Sequence, residues 1–270
     1  MEKISFKLPE TPGVYLFKNQ QTPIYIGKAI NLKTRIRSYF SGHLLPKTQR
    51  MVQEATSLEF IKVNSELEAL LLEAKLIRKF QPKYNSQAKD DKNPLYIQIT
   101  DDEYPRVITV RKPISNLKSQ ISNFGPFPSS QNVRFVLKML RKIFPYSDHK
   151  IGKKPCFYSQ IGLCNPCPNT ILKIKNKKLK IQMKNIYKRN NTNIKAILSG
   201  KIKLVQKRLK KEMEILAKEL KYEKAAEIWE KIKSMEYITQ PKIPSESFLE
   251  NPNLYEDLRN EELNNLKTVL

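Results

Sequence analysis

No stretch of this sequence approaches the ~20 consecutive apolar residues that a membrane-crossing helix needs, so a spanning protein is not expected. Met1-Glu2-Lys3 leads into mixed polar sequence, without the apolar core of a secretory leader. Cysteine is scarce: three in 270 residues, all between Cys156 and Cys167. An odd, clustered set argues against a secreted disulfide framework and for a cytosolic protein. Acids are outnumbered, 26 against 50 Lys and Arg, which leaves a net charge of +24. Such an excess attracts polyanions, nucleic acid first and an anionic membrane second, although a Lys-rich composition inflates it. Glycine numbers only seven, so two within one short pattern carry weight. There is no internal repeat.

That pattern lies near the start, in Pro12-Gly13-Val14-Tyr15 and Ile24-Tyr25-Ile26-Gly27. Each Tyr sits in an apolar, β-prone run. The polar stretch Lys18 to Pro23 reads as the turn of a hairpin that brings Tyr15 and Tyr25 close on one sheet face. Leu32, Ile36 and Tyr39/Phe40 recur at helical spacing after a capping Asn31. Lys47 to Ala55 predicts a second helix and Leu58 to Val63 a strand. Ser65 caps a longer helix through Lys79, with Leu67, Leu70, Leu71, Ala74 and Ile77 on its apolar face. Further on, Leu95 to Ile99 and Arg106 to Val110 predict strands. Phe124-Gly125-Pro126-Phe127 predicts a tight turn, and Ser130 to Phe144 a helix. Residues 177–238 are charged and helical with an interruption at Gly200. Leu204, Leu209, Met213, Leu216 and Leu220 form the expected apolar stripe, and a break near Lys221 gives two antiparallel helices. The tail from Gln240 is expected to be flexible, with a short terminal helix.

Phosphodiester hydrolysis needs an activated water, neutralised phosphate charge and help for the leaving oxygen. Tyr25 is a candidate proton acceptor, its phenolate favoured by the adjacent Lys28. Arg35 offers a planar fork to phosphate. Glu73 is an oxygen ligand suited to one Mg²⁺. Singly, these residues read as sheet tyrosines, a basic face with Arg37, and a solvated helix acid; Asn85 alone is a turn residue. In order, Tyr15, Tyr25, Gly27, Lys28, Arg35, Tyr39, Glu73 and Asn85 resemble the GIY-YIG nuclease domain. The surrounding PGVYLFKNQQTPIYIGKAINLKTRIRSYF resembles the start of the UvrC excinuclease family. The resemblance implies Tyr25 as base, Arg35 on phosphate and Glu73 on Mg²⁺ or Mn²⁺. It also implies that Tyr15 and Tyr39 order the water and phosphate, that Lys28 belongs to the site, and that Asn85 anchors it. Gly27 avoids a side chain beside the site.

The segment Lys154 to Cys167 resembles the UvrC stretch in which four cysteines hold an iron–sulfur cluster. Here only Cys156, Cys164 and Cys167 are present, and Tyr146-Ser147-Asp148-His149 occupies the position of the earliest ligand. Three thiolates with His149 can bind an iron–sulfur cluster or tetrahedral Zn²⁺; the alternative is a decayed site held by packing. Leu220 to Trp229 resembles the UVR motif, through which UvrC contacts UvrB. Tyr222, Glu223, Ala225, Ala226 and Trp229 are the expected partner-binding set, with Trp229 and Glu230 in place of the usual Arg and Asp.

The resemblance implies an α+β chain. A GIY-YIG endonuclease domain, a small sheet flanked by helices, is expected at 8–90 and a small α/β linker region at 91–148. The cysteine-rich segment follows at 149–175, then a helical region at 176–238 with a UVR hairpin at about 202–238, and a tail at 239–270. The family's RNase H-like and helix-hairpin-helix regions are not represented. The implied function is a cytoplasmic, metal-dependent DNA endonuclease of nucleotide excision repair. It would cut on the 3′ side of a lesion in double-stranded DNA after recruitment by UvrB, as a natural short form or a fragment. Two other classes stay open: an inactive module that binds UvrB and DNA, and a GIY-YIG nuclease outside repair.

Overall fold

The computed structural model describes residues 8–42, 44–86, 95–111, 121–127 and 129–239; the tail from residue 240 and its expected terminal helix lie outside them. β1 (Gly13–Asn19) and β2 (Thr22–Ala29) pair antiparallel around a two-residue loop, Gln20-Gln21. The loop is shorter than the turn read from sequence, because Thr22 and Pro23 join the strand. Gln20 takes a left-handed φ of 54°, as a tight hairpin turn demands, and its N–H donates to Thr56 Oγ1 at 2.7 Å.

β3 (Ser57–Lys62) pairs with the other side of β1, giving an antiparallel sheet of order β2-β1-β3. α1 (Leu32–Arg37) starts at Asn31, whose side chain accepts the Thr34 N–H, and α2 is Pro46–Glu54. α3 (Glu66–Phe80) starts at Ser65, whose Oγ accepts the Glu68 N–H at 3.1 Å. It ends in a left-handed Gln81, and a single turn, α4 (Lys83–Ser86), follows.

Alternation along β1 sends Val14 and Leu16 to one face, where they pack with Ile26, Ala69 and Ile77. Tyr15 and Phe17 face the other way, against Leu32, Ile36, Tyr39 and Met51. The first sheet therefore lies between α3 and the α1/α2 pair. α3 is buried on two sides. Ala69, Glu73 and Ile77, at i, i+4 and i+8, form one inward stripe. Leu67, Leu70, Leu71 and Ala74 join a second, larger core.

That core is built on β4 (Leu95–Ile99), β5 (Val107–Val110) and β6 (Ser122–Phe127), an antiparallel sheet of order β5-β4-β6, with α5 (Ser130–Ile143). Phe124 to Phe127 is therefore not the tight turn expected. It lies in edge strand β6, where the register slips opposite Tyr96. This bulge absorbs Gly125, at φ 127°, and the donor-less Pro126. Short helices α6 (Phe157–Gln160) and α7 (Pro168–Ile171) frame the cysteines. α8 (Lys177–Leu198), α9 (Ile202–Lys218) and α10 (Tyr222–Thr239) follow, with breaks at Gly200 and Leu220, both at positive φ. The stripe of α9 differs from the one expected. Ile202, Val205 and Leu209 are buried with Met213 and Leu216 beside them, whereas Leu204 and Leu220 are exposed. The spacing 205, 209, 213, 216 follows the helix more closely than a start at 204.

Candidate active site

Three tyrosines converge on one face of the first sheet. The Tyr15 and Tyr39 rings lie 5.7 Å apart between centroids, Tyr15 and Tyr25 6.2 Å, and Tyr25 and Tyr39 6.4 Å. Phe17 backs the group, 5.1 Å from Tyr39. The Tyr15 and Tyr39 hydroxyls are 2.8 Å apart and hydrogen-bonded. Arg35 Nε donates to the Tyr15 hydroxyl at 3.2 Å, and its guanidinium carbon lies 5.2 Å from the Tyr39 ring centre. The rest of that fork faces solvent, since Arg35 is exposed on α1. Gly27 makes room for this arrangement: a Cβ there would come within 2.5 Å of Tyr15 Cζ. Tyr25, Arg35 and Tyr39 open onto a groove also lined by Lys47, Thr48, Met51 and Tyr84.

β2 is an edge strand, and its outward backbone groups are the second half of the site. Asn85 Oδ1 accepts the Ile26 N–H at 2.8 Å while its Nδ2 donates to the Ile26 carbonyl at 2.7 Å. One side chain thus closes the edge as a neighbouring strand would. Two residues on, the Lys28 N–H donates to Glu73 Oε1 at 2.9 Å. Glu73 is only 6% exposed, and its Oε2 has no hydrogen-bond partner. Burial in the Ala69–Ile77 stripe raises its carboxyl to about 7, against the pull of the Lys28 N–H and of the Lys28 and Arg35 charges. An orphaned, buried carboxylate oxygen is what a hard cation satisfies.

Lys28 does not play the electrostatic part expected of it. Its Nζ pairs with Glu66 Oε1 at 3.0 Å. Burial, with Tyr39 and Glu73 adding to it, pushes the Tyr25 hydroxyl above the usual phenol range, and Arg35 is the opposing cation. Burial raises Tyr15 similarly. Glu66 was missed from sequence. It stands seven residues before Glu73 on the same helix face, and that spacing was the available signal.

The four metal-candidate side chains also meet. The ligand atoms of His149, Cys156, Cys164 and Cys167 all lie within 4.8 Å of one another. Burial raises the Cys167 thiol, but hydrogen bonds from the backbone N–H groups of Cys156 and Asn169 outweigh it and hold the group at about 7, while burial raises Cys156 and Cys164. Arg141 was not anticipated. Its guanidinium lies between the Tyr146 and Tyr158 rings, 4.1 and 4.0 Å from their centres, and Nη2 donates to Asp148 at 2.6 Å. It stands four residues after Leu137 on the apolar side of α5, the one hint in the sequence. On α10, Tyr222, Glu223, Ala226 and Trp229 are exposed. Ala225 is buried with Ile228 on the inner side, so it does not belong to an accessible partner-binding set; one residue's rotation separates it from Ala226.

Comparison with known proteins finds relatives of two segments of the chain. Residues 11–86 match the UvrC-like GIY-YIG domain family, and residues 94–176 match the UvrC/Cho excinuclease middle domain. The chain therefore carries two UvrC-family domains in tandem. The "UvrABC system protein C" of Caldanaerobacter subterraneus subsp. tengcongensis is 40% identical over 245 residues, covering 86% of this chain and 37% of that protein. That of Thermoanaerobacter sp. (strain X514) is 39% identical over 241 residues, covering 85% and 37%. The chain thus spans a little over a third of the length of these curated relatives. A solved magnesium-bound GIY-YIG N-terminal endonuclease domain of UvrC from Thermotoga maritima is 52% identical, covering 29% of this chain and 86% of that chain, with a TM-score of 0.28. The UvrC-like GIY-YIG domain here has the expected small antiparallel sheet flanked by helices.

Proposed function

We propose that the chain is a metal-dependent DNA endonuclease of nucleotide excision repair, cutting on the 3′ side of a lesion in duplex DNA after delivery by UvrB. The observation that carries the nuclease reading is the convergence of Tyr15, Tyr25, Tyr39 and Arg35 beside the unpartnered Glu73 Oε2. Residues 8–90 are the catalytic domain in this reading, 91–148 the linker region, 149–175 the cysteine segment and 176–238 the helical region.

Glu73 would hold Mg²⁺ or Mn²⁺, which would supply charge neutralisation at the phosphate. Arg35 places the solvent-facing side of its fork on a phosphate oxygen while its Nε keeps the Tyr15 hydroxyl oriented. Tyr25 takes the proton from the attacking water. It does so as the phenolate, after its own proton has left to solvent; burial opposes that form and the Arg35 charge favours it. Tyr15 and Tyr39, tied by their shared hydrogen bond, present a fixed donor–acceptor pair to water and phosphate. Lys28 acts through its backbone N–H, which aims Glu73, and Asn85 locks the strand that carries it. The net charge of +24 favours a polyanionic substrate.

The α9/α10 pair is the UvrB-docking hairpin in this reading, with Tyr222, Ala226 and Trp229 exposed for it. The test is incision of a lesion-bearing duplex with and without UvrB, by wild type and Glu73→Gln, in Mg²⁺ and in chelator. Cleavage that persists in chelator or in the variant refutes the metal assignment. Cleavage indifferent to UvrB refutes the delivery.

A further inference from the structure

We infer that His149, Cys156, Cys164 and Cys167 hold a single tetrahedral Zn²⁺ ion and do not fit an iron–sulfur cluster. A Zn²⁺ ion binds thiolate at about 2.3 Å and imidazole at about 2.0 Å, so tetrahedral ligand atoms stand roughly 3.5–3.8 Å apart. Cys167 Sγ lies 3.9 Å from Cys156 Sγ and 3.7 Å from His149 Nε2. No pair in the set exceeds 4.8 Å. The widest edge therefore closes by about 1 Å. In a [4Fe–4S] cluster each thiolate holds its own iron, and in a [2Fe–2S] cluster the two pairs of ligands sit on different irons, so in both the full set of donors is spread around a body several atoms wide. These donors converge on a point instead.

The surroundings agree. His149 Nδ1 lies 2.7 Å from the Lys150 carbonyl. That contact places the ring proton on Nδ1 and leaves the Nε2 lone pair facing the thiols, the usual device for orienting a metal-ligating histidine. The Asn169 side chain accepts the Gly152 N–H at 2.8 Å and donates to the Lys154 carbonyl at 2.6 Å. This pins the loop between His149 and Cys156 before any metal arrives. Cys164 and Cys167 are fully buried. Four protein donors close the coordination sphere, so the ion is structural and redox-inert. It braces the segment joining α5 to α8.

The test uses the full chain, expressed with iron and zinc both supplied and purified without oxygen. One zinc per chain is expected by elemental analysis, with no acid-labile sulfide and no visible chromophore. Co²⁺ exchanged into the wild type gives the intense visible bands of a tetrahedral thiolate site. His149→Ala weakens metal affinity at least about tenfold, and His149→Cys retains one ion with altered Co²⁺ bands. Iron with matching sulfide overturns the inference, as does a metal-free chain with a Cys156–Cys167 disulfide. Unchanged affinity in His149→Ala removes His149 from the site. None of these readouts depends on DNA cleavage, so the nuclease reading stands or falls separately.

Discussion

Replacing Glu73 with Gln tests the metal assignment through folding as well as through cleavage. Burial raises this carboxyl from 4.5 to about 7 in the metal-free protein. Between those values the folded state binds more protons than the unfolded one, so stability falls as pH rises through the window. The difference between 4.5 and about 7, at about 1.4 kcal/mol per pH unit, sets an upper figure of about 3 kcal/mol lost by pH 8 relative to pH 4. In a chain of this size that is roughly 6–12 °C in Tm. Glu73→Gln keeps an acceptor for the Lys28 N–H but cannot ionise, so its stability should lack this component of the pH slope. Thermal melts in chelator at half-unit steps from pH 4 to pH 8, wild type against variant, measure the difference. Mg²⁺ should restore wild-type stability at pH 8, and less at pH 6, where a proton competes for the same oxygen. It should do nothing for the variant. Cleavage should fall by about 10²–10³ or more. Parallel melting curves across the whole pH range, or equal Mg²⁺ stabilisation of both proteins, would refute the reasoning.

Tyr25→Phe removes the proposed proton acceptor and leaves the ring packing, so single-turnover cleavage should drop with Tm nearly unchanged; an unaffected rate rules Tyr25 out as the base. Gly27→Ala sets a methyl against the Tyr15 ring, 2.5 Å from Cζ, and should cost about 1–3 kcal/mol in urea unfolding together with cleavage. DNA affinity should fall linearly on a log–log plot against salt as phosphate counterions are released, and a flat plot would make the basic excess merely compositional. Tyr222→Ala, at an exposed aromatic, should weaken UvrB capture by roughly thirtyfold, the equivalent of about 2 kcal/mol, without touching cleavage of a UvrB-independent substrate.

The parts of the fold legible in the sequence are those decided locally. The Asn31 and Ser65 caps, the period of α3 and α5, and the alternation around Tyr15 and Tyr25 each follow from a few neighbouring residues. The set of site residues was legible only through the resemblance of its order to the GIY-YIG pattern, since each residue alone reads as an ordinary sheet, helix or turn residue. What escaped depends on which side of an element faces what. Lys28 seemed to serve Tyr25 because the two are close in sequence. In the strand, however, an odd separation sends their side chains to opposite faces, and Nζ meets Glu66 on α3 instead. Ala225 and Ala226 are equivalent as text, yet about 100° of helix rotation buries one and exposes the other. Phe124 to Phe127 carries turn residues that an edge strand accommodates by a bulge, a choice made by β4 some 25 residues earlier.

Glu73 shows how one tertiary fact changes the chemistry of a residue that sequence already singled out. As a helix acid it was a candidate ligand with an ordinary carboxyl. Set between Ala69 and Ile77 against the first sheet, it becomes a group whose ionised form the fold disfavours until a cation arrives. In the proposed reading, binding then has to supply the free energy that burial withholds, which favours a compact, highly charged ion over a monovalent one. The same burial keeps bulk water from competing for Oε2. The cost appears as lower stability in the metal-free state at neutral pH, the trade expected where a site is prepared in advance of its ligand.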